Sequence, residues 1–143
     1  MSEGIRRTAG IYAILILMLV VAFIWFIDGL IHLNILEMAG LEVLVGAIFL
    51  GLRYIFLLLL GVTLTVEFFM IMGYLMLVWG ILNVLMAFAL VSTMANWARI
   101  ATIGITVVGI IVAAISLGIF AGIISLIVAA YLSGSGHLFQ QAK

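Results

Sequence analysis

The chain is 143 residues long, 69% hydrophobic and 7% charged, with a formal net charge of zero and neither cysteine nor proline. A water-soluble domain is about a quarter charged, so too few ionised groups are present to face water, and lipid is the solvent for most of the chain. The absence of cysteine excludes disulfides, thiolate metal sites and cysteine nucleophiles, and a neutral chain with no basic tract excludes a nucleic-acid partner.

A membrane-crossing helix takes about 20 apolar residues. The length therefore fits four crossings, or five, in one all-α membrane domain over residues 1–143. The first crossing reads from about 8 to 31. Arg6 and Arg7 precede it, and Trp25, Phe26, Asp28, His32, Asn34 and Glu37 mark its far interface. Its apolar run, Ala9 to Ile27, is too long for a secretory signal core and has no small-x-small cleavage pattern after it, so it reads as a retained anchor.

The next stretch, LEVLVGAIFLGLRYIFLLLLGVTLTVEF at 41–68, is as apolar as a crossing but holds Glu42, Arg53 and Glu67. At 100° per residue, Glu42, Gly46, Arg53 and Glu67 fall within roughly 60° of one another, one polar stripe on an apolar helix. A charge at the bilayer centre costs about 2.5–3.5 kcal/mol. Residues 41–66 are therefore expected as an amphipathic or re-entrant segment embedded in the outer leaflet, turning near Gly61 with Leu57 to Leu60 deepest. A fifth crossing is the alternative.

The second crossing is expected at about 70–91, MIMGYLMLVWGILNVLMAFALV, interrupted only by Asn83. STMANWAR at 92–99 is a polar break. The remainder, Ile100 to Ser133, would be about 51 Å long as one helix, against a hydrocarbon core of about 30 Å. A hairpin folding at Ser116 to Gly118 is expected instead, with two short crossings at about 100–115 and 118–133. With four crossings, Arg6, Arg7, Arg99 and Lys143 share one side, which the preference of basic residues for the cytoplasmic side makes the inside. The expectation is a prokaryotic cytoplasmic membrane with both termini cytoplasmic.

Gly73, Trp79, Gly80, Trp97, Ala98, Arg99, Tyr131 and Leu132, with Asn96-Trp97-Ala98-Arg99 as the distinctive motif, resemble a broad family of small uncharacterised bacterial and archaeal four-span membrane proteins over about residues 71–139. The resemblance implies that architecture and no chemistry. The middle segment is longer than in that family, and its loop is usually more basic than STMAN.

Several residues are candidates for a site. Asp28 and His32 are four apart and share a helix face. With Glu37 they form a proton-handling or metal-binding cluster, or a span end reaching headgroups. Arg53 with Glu67, Glu42 or Asp28 is the second set. An ionisable group at membrane depth is a functional candidate and usually has a partner. It neutralises an anionic ligand or lipid phosphate, or it locks the middle segment onto the bundle. Arg53 and Glu67 pair only if the chain turns between them.

Asn83 is expected to hydrogen-bond across to a neighbouring helix. Gly73, Gly80 and Ala87 form one smooth face; Gly118, Gly122, Ser125, Ala129 and Ser133 form another, which fits helix packing within the bundle or onto a partner chain. No catalytic set, cofactor site or metal site is expected. His32 and His137 fall on opposite sides and cannot share a haem.

The leading functional reading is a non-catalytic accessory or scaffold subunit that packs with other membrane chains or with itself. The alternatives are a small transporter, channel or ligand-binding protein with Arg53, Glu67 and Asp28 along a polar path, and a lipid-binding or membrane-shaping protein using the embedded segment.

Overall fold

The computed structural model describes residues 8–33 and 50–139, the Val66 side chain excepted. The described residues form helices and turns, with no β-strand among them. In chain order the helices are α1 (Ala9–His32), α2 (Ile55–Leu59), α3 (Val66–Thr93), α4 (Asn96–Ser116) and α5 (Ile119–Gly134), followed by a 3-10 turn at Gly136–Leu138.

Local chemistry sets the ends. The Thr8 hydroxyl accepts from the Ile11 amide at 3.4 Å and starts α1; Thr65 accepts from Phe68 at 3.1 Å and starts α3. Each satisfies one of the four amides left unpaired at a helix start. No proline is present to stop a helix, and two turns form on left-handed non-glycine residues. Met94, at φ 49°, ends α3, and Leu117, at φ 52°, ends α4. Gly61, at φ 82°, turns the chain after α2, a backbone conformation that glycine adopts without steric cost.

α1 packs on α3 and α5, and α4 packs on α3 and α5, closing a four-helix bundle. The glycines set the direction and the spacing. A Cβ built at Gly29 would lie 2.9 Å from the Gly73 carbonyl oxygen, and one at Gly80 would lie 3.1 Å from that of Ala22. Thus α1 and α3 run antiparallel with their backbones almost touching. One end of the bundle, here the proximal end, holds Thr8, the Met94–Ala95 turn and Phe139. The distal end holds His32, residues 50–54 and the Leu117–Gly118 turn.

The core has two parts. Ile11, Ile14, Met18, Ala87, Leu90, Leu132 and Phe139 fill the proximal half; Val21, Trp25, Tyr54, Met72, Met76 and Ala121 fill the distal half. Large apolar side chains also cover the outside, among them Phe23, Ile71 and Phe120, each about two-thirds exposed or more. Three helices, Ala9–His32, Glu67–Thr93 and Asn96–Ser116, are long and apolar enough to cross a membrane. α5, at 16 residues, is shorter.

Several expectations need correction. Residues 41–66 do not extend one helical stripe to Glu67. Residues 50–53 are helical, Tyr54 breaks the run, α2 is one short helix, 62–65 belong to no helix, and Glu67 belongs to α3. Glu42 and Gly46 lie outside the described residues, as do Arg6, Arg7, Asn34, Glu37 and Lys143. The 92–99 break is shorter than its composition suggests, because α3 runs to Thr93 and α4 begins at Asn96. Asn96 and Arg99 are satisfied within the helix and its neighbour, so polarity does not interrupt it. α4 is therefore full length, and only α5 is short.

Asn83 does not reach a neighbouring helix. Its amide nitrogen donates to the Trp79 carbonyl of its own helix at 2.8 Å, and its buried Oδ1 has no partner. The cross-helix bond comes from Trp79, whose indole donates to the Ile105 carbonyl of α4 at 3.0 Å.

Candidate functional site

The distal end gathers the charge. Asp28 sits on the inner face of α1, one turn before His32, because spacing of four returns a side chain to the same face. Arg53, arriving from the 50–54 turn, grips it with two parallel bonds. NH1 donates to Oδ1, and NH2 donates to Oδ2 at 2.8 Å. This fork-to-fork geometry is the strongest way for a guanidinium to meet a carboxylate. The Nε–H of Arg53 points elsewhere, donating to the Ser116 carbonyl at the end of α4 at 2.9 Å. One side chain thus ties α1, the middle segment and α4 together. The two charged side chains are 12% and 11% exposed.

His32 and Tyr54 extend the network. His32 Nδ1 lies 2.7 Å from the Asp28 carbonyl oxygen, which only accepts, so Nδ1 carries a proton. Nε2 lies 2.7 Å from the Tyr54 hydroxyl, and in the neutral imidazole it accepts from that hydroxyl. The Tyr54 ring is fully buried and meets Phe68 and Phe69 edge-on, at centroid distances of 5.1 and 5.7 Å. Such contacts stabilise beyond the area buried. Tyr54 is absent from the residues singled out in the sequence. The signal that finds it is a phenol beside the only mid-segment arginine, in a run, residues 43–62, otherwise without hydrogen-bonding side chains.

Of the sequence candidates, Asp28, His32 and Arg53 come together. Glu67 does not join them: it is exposed in the first turn of α3 and makes no ion pair among the described residues. Arg53 and Asp28 pair instead because the 50–54 turn lays the arginine over the end of α1. Among the described residues no group of three His, Asp or Glu converges as a metal site. Of the packing candidates, Gly73 and Gly80 face α1, and a Cβ at Gly122 would lie 3.2 Å from the Ala113 Cβ of α4. Gly118 borders Arg53: a Cβ there would lie 3.7 Å from NH2. These small-residue faces are used inside the bundle.

Beside the ion pair, a groove of about 450 Å³ runs between α1 and the α4–α5 turn. Phe23, Ile27, Ile31, Ile119 and Phe120 form apolar walls, and Asp28 and Arg53 are its charged residues.

At the proximal end Arg99 repeats the logic. Its Nε donates to Asn96 Oδ1 at 2.9 Å, and NH1 donates to the Leu132 carbonyl near the end of α5 at 3.0 Å. Asn96 and Arg99, the polar pair of the Asn-Trp-Ala-Arg motif, thereby form a brace for the last helix. His137 follows α5 at this end, far from His32. Comparison with protein-family models, curated proteins and solved structures finds no match for the chain.

Proposed function

We propose that the chain is a non-catalytic integral membrane protein that serves as a scaffold or accessory subunit. In this reading α1, α3, α4 and the shorter α5 cross the bilayer, the 50–65 segment is embedded at the distal side, and the proximal end faces the cytoplasm of a prokaryotic cell. One observation supports it most: Arg53, His32 and Arg99 each spend a side-chain hydrogen bond on joining one element to another. Arg53 is spent on Asp28 and the Ser116 carbonyl, His32 on the Asp28 carbonyl and Tyr54, and Arg99 on Asn96 and the Leu132 carbonyl. A transport path needs such groups turned toward a passing solute; here they clasp helices.

The side supports the orientation. Arg99 lies at the proximal end with Thr8, and basic residues favour the cytoplasmic side in short loops. Since the glycine faces are used internally, assembly with another chain draws on the outward rows of large apolar side chains. Extraction in native lipid, followed by light scattering, tests the reading. A scaffold gives a fixed stoichiometry of two or more chains. A lone 15.5 kDa chain with no stoichiometric companion contradicts it.

A further inference from the structure

We propose that the groove beside Asp28 is a lipid site, and that it takes a membrane phospholipid whose headgroup carries hydrogen-bond donors. The occupant follows from where the groove opens. Phe23 and Phe120 line it and are also 66% and 77% exposed on the outer surface. In a chain that is 69% hydrophobic, the medium at that surface is lipid hydrocarbon. A volume of about 450 Å³ lies within the range of small-molecule sites, and apolar walls suit one acyl chain.

The headgroup preference follows from Asp28. An ionised carboxylate offers about four acceptor positions. Arg53 fills one on each oxygen. Asp28 lines the groove and its side chain keeps 11% exposure, so acceptor positions beyond the two Arg53 bonds adjoin that space. Against bare hydrocarbon they would go unmet, which is costly at membrane depth. An ammonium or hydroxyl headgroup meets them; a quaternary choline, with no N–H or O–H, does not.

The groove exists because the α4–α5 hairpin turns early. Ser116 and Gly118 lie level with Asp28, whereas α1 continues one more turn to His32 and its partner α3 begins beyond Gly73, at Val66. α5 spans about 24 Å, less than the hydrocarbon core of about 30 Å. The step between tall and short helices is where a headgroup descends to the ion pair, with the bilayer thinned beside the short helix.

Native mass spectrometry of the purified full chain tests this, using dioleoyl phosphatidylethanolamine and dioleoyl phosphatidylcholine as probes with identical tails. The wild-type chain retains the ethanolamine lipid on the order of tenfold more tightly, the worth of one charge-assisted hydrogen bond. Ile27→Trp, at a lining residue that makes no bond in the clasp, fills the groove and reduces ethanolamine-lipid binding to the choline-lipid level. Val78→Trp, on the exposed face of α3, leaves it unchanged. Equal retention of the two lipids by the wild-type chain overturns the proposal, as does ethanolamine-lipid binding that Ile27→Trp leaves intact or that Val78→Trp lowers equally.

Discussion

The Arg53 Nε–H donates to the carbonyl of Ser116, 63 residues later in the chain, at 2.9 Å. Arg99 donates through NH1 to the Leu132 carbonyl at the other end of the bundle. The last four carbonyls of a helix have no partner within it, and that end carries about half a negative charge from the helix dipole. Where lipid surrounds a helix end, water is not there to answer either demand. The two arginines supply a donor and a positive charge at the C-termini of α4 and α5. Each is held by a second partner, Asp28 or Asn96.

The Arg99 brace makes a local prediction. Lys has no guanidinium fork, so Arg99→Lys loses one of the bonds to Asn96 and Leu132. The 3-10 turn and Phe139, which is buried in the proximal core, loosen as a result. Amide exchange over residues 133–139 speeds by about tenfold, while α1 and α3 keep their protection. Uniform protection in the variant rejects the brace.

Tyr54 links the middle segment to α1 through His32. Tyr54→Phe keeps the ring contacts and removes only the hydroxyl. It lowers stability by about 1–2 kcal/mol, because the buried imidazole loses its partner. Thermal unfolding in detergent reads this loss. His32→Phe costs at least as much, and the double variant costs less than the sum of the two.

The glycine contact between α1 and α3 leaves no room for a side chain. Gly29→Val and Gly73→Val each force the backbones apart and destabilise by about 1–3 kcal/mol or more. Gly104, on α4, has nothing within 4 Å of a built Cβ, so Gly104→Ala is neutral or mildly stabilising. Equal tolerance at Gly73 and Gly104 contradicts the packing described.

The native chain lacks cysteine, so single cysteines report sidedness without background. With four crossings, Thr93→Cys and His137→Cys, both exposed at the proximal end, react with a membrane-impermeant maleimide from the cytoplasmic side. Glu67→Cys, exposed at the distal end, reacts from the opposite side. Labelling of Thr93→Cys and Glu67→Cys from one side contradicts the topology.

Much of the fold was legible because apolar runs in lipid have one main solution. α1 occupies Ala9–His32, within one residue of the expected 8–31 at each end. The turn at Leu117 falls where a single helix would exceed the hydrocarbon core. The site was legible in part. Asp28, His32 and Arg53 stand out as ionisable groups in an apolar chain, but their pairing does not. A continuous helical period points from Arg53 to Glu67, and only the break at Tyr54 and the turn at Gly61 send them apart. The Ser116 carbonyl was invisible because every residue carries one, and only the fold decides which lies at a helix end. For Asn83, its own helix offered the Trp79 carbonyl one turn back, and sequence does not rank that against a neighbouring helix.

The Asp28–Arg53 clasp joins α1 to the middle segment, and a double-mutant cycle measures it directly. Asp28→Asn and Arg53→Gln, alone and together, are compared by reversible unfolding in lipid or detergent. Each single change leaves a buried charge without its partner and costs about 3–5 kcal/mol. The double variant recovers a large part of that, giving a coupling of about 2 kcal/mol or more. Single variants that cost little and add without coupling would show that the two charges do not hold the bundle together.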